Sequence, residues 1–167
     1  MAAGATYVPI QTQTLGSATA SVTFSSIPST YTDLVVAINY GLSADADSRW
    51  IINGDSTSGL YSYTNIRGNG SAAASSVASA LNYLQFGLGS VTVPTTLTST
   101  KIIHLQNYAN TSIYKTSLSR VGDAQAQTLA IVGLWRNTAA ITSLTFNAIS
   151  ANFLTGSTFT IYGIASA

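Results

Sequence analysis

The stretch Gly156-Ser157-Thr158-Phe159-Thr160-Ile161-Tyr162-Gly163-Ile164 constrains the fold more than any other. Phe159, Ile161 and Gly163 fall on one side of an extended chain and Thr158, Thr160, Tyr162 and Ile164 on the other. That is the period of a β-strand with one buried face. The residues are β-branched or aromatic almost throughout, and a glycine precedes them. Segments from Thr19 onward carry the same alternation and the same turn punctuation. The expectation is an all-β, antiparallel β-sandwich closed by this last strand, with Thr158 to Tyr162 inside a sheet and not at a free edge, where an apolar strand would template aggregation.

Thr19-Ala20-Ser21-Val22-Thr23-Phe24 places Ala20, Val22 and Phe24 inward, and Ile27-Pro28-Ser29-Thr30 turns the chain. Within Asp33 to Tyr40, Leu34-Val35-Val36-Ala37-Ile38 is apolar on both faces. Such a strand is either central and covered on both sides, or has its outer face in an interface. Trp50-Ile51-Ile52, the Asn53-Gly54-Asp55 turn and Leu60 to Ile66 read as a hairpin, with Tyr61 and Tyr63 on one face. Lys101 to Gln106, Ile113 to Val121, Leu129 to Arg136 and Ile141 to Asn147 bring the set to eight or nine short strands, which fits a jelly-roll type of sandwich.

Two regions lack this pattern. Met1 to Gln13 has no charge, and Pro9 interrupts its only apolar run. Residues 1–18 are therefore expected to form an extended arm, ordered mainly by lying along another subunit, outside a single sandwich domain spanning 19–167. Ala72 to Ala80 is a run of small residues without an amphipathic stripe, and Ala73 to Leu84 carries the one helical option in the chain.

The chain has 167 residues, which suits one domain. Only 7% of them are charged, Glu is absent, and Ser plus Thr supply 46 positions, so the surface must be hydroxyl and amide rather than ionic. A net charge of +1 leaves little repulsion between copies and points to permanent assembly. Arg49, Arg67, Lys101, Lys115, Arg120 and Arg136 are scattered singly, which argues against nucleic acid as a partner. With no Cys there is neither a disulfide framework nor a thiolate metal site. No stretch approaches the length of a signal peptide's apolar core or of a membrane span, so a soluble protein is expected, with no membrane partner.

The candidate chemistry is sparse. The single histidine, His104, alternates with Ile103 and Leu105 and should project from the opposite strand face, in a hydrogen-bonded role. Gly54-Asp55-Ser56 lacks the flanking glycines of a nucleophile motif, and no Gly-x-Ser-x-Gly is present. Asp45 and Asp47 are the only close carboxylate pair, too few for a calcium cage, while Asp33, Asp55 and Asp123 are remote in sequence. Gly68/Gly70 and Gly87/Gly89 fit turns and not a phosphate loop. Trp50, Tyr61, Tyr63, Tyr83, Tyr108, Tyr114, Trp135 and Tyr162 sit mostly in strand patterns, where core packing is the default over a sugar platform. No catalytic, cofactor-binding or metal-ligating residue is assigned, and the chain reads as non-enzymatic.

Five motifs in order carry a resemblance. They are Phe24-Ser25-Ser26-Ile27-Pro28-Ser29-Thr30-Tyr31-Thr32-Asp33-Leu34; Asn53-Gly54-Asp55 leading to Tyr61-Ser62-Tyr63 and Gly68-Asn69-Gly70; Tyr114-Lys115-Thr116 to Gly122-Asp123; Trp135-Arg136-Asn137-Thr138-Ala139-Ala140-Ile141-Thr142; and Gly156 to Gly163. Together, over about Thr19 to Ile164, they resemble small jelly-roll structural proteins of tailed bacteriophage virions, cyanophage-like viruses included. That resemblance implies a decoration or cement protein on the capsid exterior, with the major capsid protein as partner. The alternative it implies is a receptor-binding domain of a tail fibre or head fibre gripping a host surface glycan. A homotrimer is expected, because closed cyclic symmetry buries self-complementary surface without filament growth and matches the three-fold positions of an icosahedral shell. Its seam is expected at Leu34 to Ile38 or at the Tyr61/Tyr63 face.

Overall fold

The computed structural model describes residues 6–85, 95, 98–123 and 127–165. Among these are twelve strands and no helix: β1 (Tyr7–Thr14), β2 (Ser21–Phe24), β3 (Asp33–Tyr40), β4 (Ser48–Ile52), β5 (Tyr61–Gly68), β6 (Ala73–Leu81), β7 (Leu84–Gln85), β8 (Ser99–Leu105), β9 (Lys115–Asp123), β10 (Gln127–Trp135), β11 (Leu144–Ala148) and β12 (Thr158–Ile164). They form two antiparallel sheets. One has eight strands in the order β1-β12-β3-β8-β9-β10-β5-β6, and the other has four, β2-β11-β4-β7. The fold is a β-sandwich, as the alternation predicts.

Period-two patterning decides which residues meet between the sheets. Val22 and Phe24 of β2, Trp50 and Ile52 of β4, and Leu144 and Phe146 of β11 face Leu34, Val36, Ile38, Phe159 and Ile161 across the core, all of them buried. Phe146 sits between Trp50, stacked at 6.3 Å, and Phe159, tilted at 5.9 Å. Phe153 closes that cluster edge-on to Phe159 at 5.1 Å. The last strand lies inside the larger sheet, paired with β3 from Thr158↔Asn39 to Ile164↔Asp33 and with β1 on its other side. Gly163 is needed there, because a Cβ at this position would stand 2.3 Å from the Tyr31 ring that packs on it.

Several expectations are corrected. Residues 7–14 of the supposed arm are strand β1, paired within the same chain to β12. The register shifts between Pro9 and Gln11, a bulge that lets an edge strand carry a residue without an N–H. The helical option at Ala73 to Leu84 is instead β6, held to β5 by a ladder from Gly68↔Ala73 to Tyr61↔Leu81. The Asn53-Gly54 turn forms, with φ of 53° and 67° and a bond from the Asp55 N–H to the Ile52 carbonyl at 2.9 Å. It does not close a hairpin, however: β4 and β5 belong to different sheets. The side chain of Asn53 explains the difference, since its Oδ1 accepts from the Thr142 and Ser143 N–H groups at 2.8 and 3.0 Å and fixes the turn to the segment before β11. Ala20 is exposed and precedes β2. Residues 1–5, the Gly87/Gly89 pair and Pro94 lie outside the described residues.

Candidate interaction face

The inner face of the eight-stranded sheet packs on the four-stranded sheet; its outer face is covered by no described element. The pairing register puts one continuous row of side chains across all eight strands of that outer face: Pro9, Tyr162, Val35, His104, Leu118, Val132, Thr64 and Val77. The neighbouring row carries Thr12, Thr160, Ala37, Ile102, Arg120, Ala130, Ile66 and Ser75, apolar in its middle and hydroxyl at its ends. Surface strands ordinarily place polar residues outward. Here Val77 is 74% exposed, Ile66 63%, Val132 51%, Leu118 49% and Ile102 46%. Tyr7 adds to the patch at its far edge, edge-on to Tyr162 at 6.1 Å. Two adjoining hollows of about 680 and 620 Å³ run over this face and share Ile66, Arg120 and Ala130. Exposed apolar patches of this size are uncommon on monomeric proteins.

Charge on the face is sparse and arranged. His104 Nε2 lies 3.0 Å from Asp33 Oδ2, and the other oxygen of Asp33 accepts from the Asn107 N–H at 2.8 Å. The single histidine is thus a hydrogen-bonded residue on the strand face opposite Ile103 and Leu105, as its alternation implies. Arg120, exposed, stands between Ile102 and Ala130 in register.

The other residues singled out in the sequence lie elsewhere. Trp50, Tyr61, Tyr63, Tyr108 and Trp135 are buried and form no surface platform. Tyr61 and Tyr63 face the core, so the expected seam at that aromatic face is corrected; Tyr61 stacks on Trp135 at 6.4 Å. Leu34, Val36 and Ile38 also face inward, leaving Val35 and Ala37 of β3 on the outer face. Asp55 accepts from Trp135 Nε1 at 3.0 Å and from the Thr57 N–H at 3.2 Å. Desolvation pulls its carboxyl upward, but bonds from Thr57, Trp135 and Asn137 outweigh that and hold it below its ordinary value. Asp45 accepts from the Thr95 N–H at 2.9 Å and does not converge with Asp47 on a common site. Among the described residues, no group of three or more His, Cys, Asp or Glu side chains comes together.

Asp47 belongs to a buried polar cluster that the sequence reading passed over. Its carboxylate accepts from Gln85 Nε2 at 2.5 Å and from the Ser48 N–H at 2.6 Å. Lys101 donates to Ser48 Oγ and lies over the Tyr40 ring at 4.5 Å. Burial pulls the Lys101 ammonium down to about 7 against the opposing attraction of Asp47, and it pushes the Asp47 carboxyl and the Tyr40 phenol upward. A half-neutral lysine on a serine hydroxyl is the pairing that activates nucleophiles. This one is sealed, because the space it lines with Phe146, Phe153 and Phe159 admits no water. The available signal was alternation: Lys101 shares its strand face with Ile103 and Leu105, which are buried.

No protein-family model matches the chain, and no curated protein is significantly similar to it.

Proposed function

We propose that this chain is a non-enzymatic structural protein of a bacteriophage virion, a decoration or cement protein that binds the outside of the head shell as a homotrimer and stabilises it. The observation that carries this reading is the bare apolar face of the eight-stranded sheet, a surface made for docking and not for turnover. The motif resemblance supplies the virion, and the strand order supports a jelly roll. Taken in sequence, β1, β2, β3, β4, β7, β8, β11 and β12 are eight strands. The first, eighth, third and sixth lie side by side in one sheet, and the second, seventh, fourth and fifth in the other. Two nested Greek keys would interleave their strands in this order. The paired strands β5–β6 and β9–β10 are then insertions that widen one sheet from four strands to eight.

Mass spectrometry of purified particles, with immunogold labelling, tests the reading: the chain should be found at head-surface stoichiometry. Its absence from particles, or labelling confined to the tail tip, would refute the decoration role. Light scattering of the isolated protein should report three chains.

A further inference from the structure

We propose that the outer face of the eight-stranded sheet docks onto a different protein, one that presents an apolar surface with a carboxylate placed against Arg120, and that copies of this chain associate through some other surface. The inference rests on the docking role proposed above and assigns its site and the chemistry of its partner.

The argument turns on complementarity. Docking would withdraw Ile66, Ile102, Leu118 and Val132 from water, and with them the guanidinium of Arg120, which the register sets in their midst. A guanidinium desolvated without an anion is strongly unfavourable, whereas one that meets a carboxylate through paired N–H···O bonds fixes the register of the contact. The face itself offers no such carboxylate. Asp33 is its only acid, and both of its oxygens are engaged, one by His104 and one by the Asn107 N–H. Two copies meeting face to face around a two-fold axis would therefore bury two arginines and no free acid, which is not a self-complementary surface. The chain has only five acidic residues, and none of them lines either hollow. In a ring of three the face would instead meet another surface of the next copy, where Asp45, Asp47 and Asp55 already accept hydrogen bonds within their own chain, so a different protein is the favoured source of the anion. This also gives the inserted strands a purpose, since Ile66, Leu118, Arg120 and Val132 all lie on β5, β9 or β10.

The test uses virus particles purified after deletion of the gene for this chain, with recombinant protein added back and bound protein measured by sedimentation. Wild-type protein should bind. Arg120→Glu should weaken binding ~30-fold or more, as expected for reversing one member of a desolvated charge pair, and Arg120→Lys should weaken it less. Ile66→Ser should also bind less, with circular dichroism and melting temperature unchanged in every variant. Converting particle carboxylates to amides with carbodiimide and glycinamide should abolish wild-type binding. If wild-type protein binds but Arg120→Glu binds equally, or amidation has no effect, the carboxylate assignment is wrong while the docking role stands. If wild-type protein does not bind the particles at all, the docking role fails and this inference with it. If Arg120→Glu or Ile66→Ser instead lowers the number of chains seen by light scattering, the face lies between copies and the inference is overturned.

Discussion

Replacing Lys101 by methionine tests the buried polar cluster directly. The stem packs in the core and methionine reproduces most of it, so the loss is chiefly that of the charged head. Without it, Asp47 keeps its bonds from Gln85 and Ser48 but loses its nearby cation, and Ser48 Oγ loses a donor. Removing one member of a buried pair costs about 3–5 kcal/mol. Methionine, however, does not bear the cost of burying an ammonium that the depressed pKa of Lys101 reflects, and Asp47, its own pKa raised, can take up a proton instead of remaining an unpaired charge, so the net loss at pH 7 falls to about 1 kcal/mol. Urea unfolding at pH 7, extrapolated to water, measures the difference, and adding Asp47→Asn should recover a large part of it. A loss of about 3 kcal/mol or more, or no recovery in the double variant, would refute this reading of the cluster. The pH dependence provides a second check. Lys101 has a folded pKa of about 7 and an unfolded value of 10.5, so between these the unfolded chain holds the extra proton and stability rises with pH. Above about 10 the sign reverses. Tyr40 and Tyr61 are pushed up by burial, Tyr61 to about 12, and the unfolded chain then ionises first. Stability should thus peak between these limits in the wild type, and the rise above pH 7 should shrink in Lys101→Met, leaving the part due to Lys115, which burial also pulls down; a flat wild-type profile from pH 7.5 to 9.5 would contradict the argument.

Three further outcomes follow from packing and pairing. Phe159→Ala removes a ring held by Phe146 and Phe153 and should cost about 3–5 kcal/mol in urea unfolding; under 1 kcal/mol would place Phe159 at the surface. Gly163→Ala forces a methyl into the Tyr31 ring and should cost about 1–3 kcal/mol, with Tyr31→Ala in the same chain relieving the strain. Deleting residues 1–13 strips β12 of its neighbour on one side and should lower the melting temperature by about 5 °C or more; an unchanged value would restore the picture of an arm that contributes nothing to its own domain.

The parts of the fold legible in the sequence were those in which a large side chain marks every second position. Strands β3 and β12 were read nearly to the residue, because Leu34, Val36 and Ile38, and Phe159 and Ile161, leave no ambiguity of period. Strand β6 escaped notice because Ala, Ser and a lone Val form no stripe; it is a strand by virtue of its ladder to β5, not of any face that it buries. Pro9 hid β1 in a different way, since a bulge accommodates the missing donor and no composition rule announces a bulge. Alternation tells which residues share a face but not which face is inside. Tyr61 and Tyr63 share a face, as their spacing implies, but that face, one of the two seam candidates, is the core, where Tyr61 stacks on Trp135, seventy-odd residues away in the chain. The apolar outer residues of β3 did point to an interface option, but the rest of the face comes from strands brought together only by sheet order.

That sheet order also explains why the outer face can be apolar without ruining the fold. The four-stranded sheet faces the larger one, and the buried core between them takes in side chains of β5, β9 and β10 as well, Tyr61, Tyr63, Val121, Leu129, Ile131 and Trp135 among them. Strands β9, β10 and β5 thus have inner faces that bury Ser117, Ser119, Leu129, Ile131, Tyr63 and Asn65, while β6 at the edge buries none of its residues. Gly133 shows how tightly that side is closed, because a Cβ there would come within 2.6 Å of Ser117 Oγ and 3.0 Å of Leu84. Folding is thus satisfied on the inner side, and the outer side chains of these strands are left without a structural task. Solvation alone would favour charged residues at these positions, as on the usual edge of a sheet. Ile66, Leu118, Val132 and Val77 stand there instead, each in register with the next strand, in a chain that has very few charges to distribute. A surface that folding does not require and water does not favour is the ground on which the proposed docking rests.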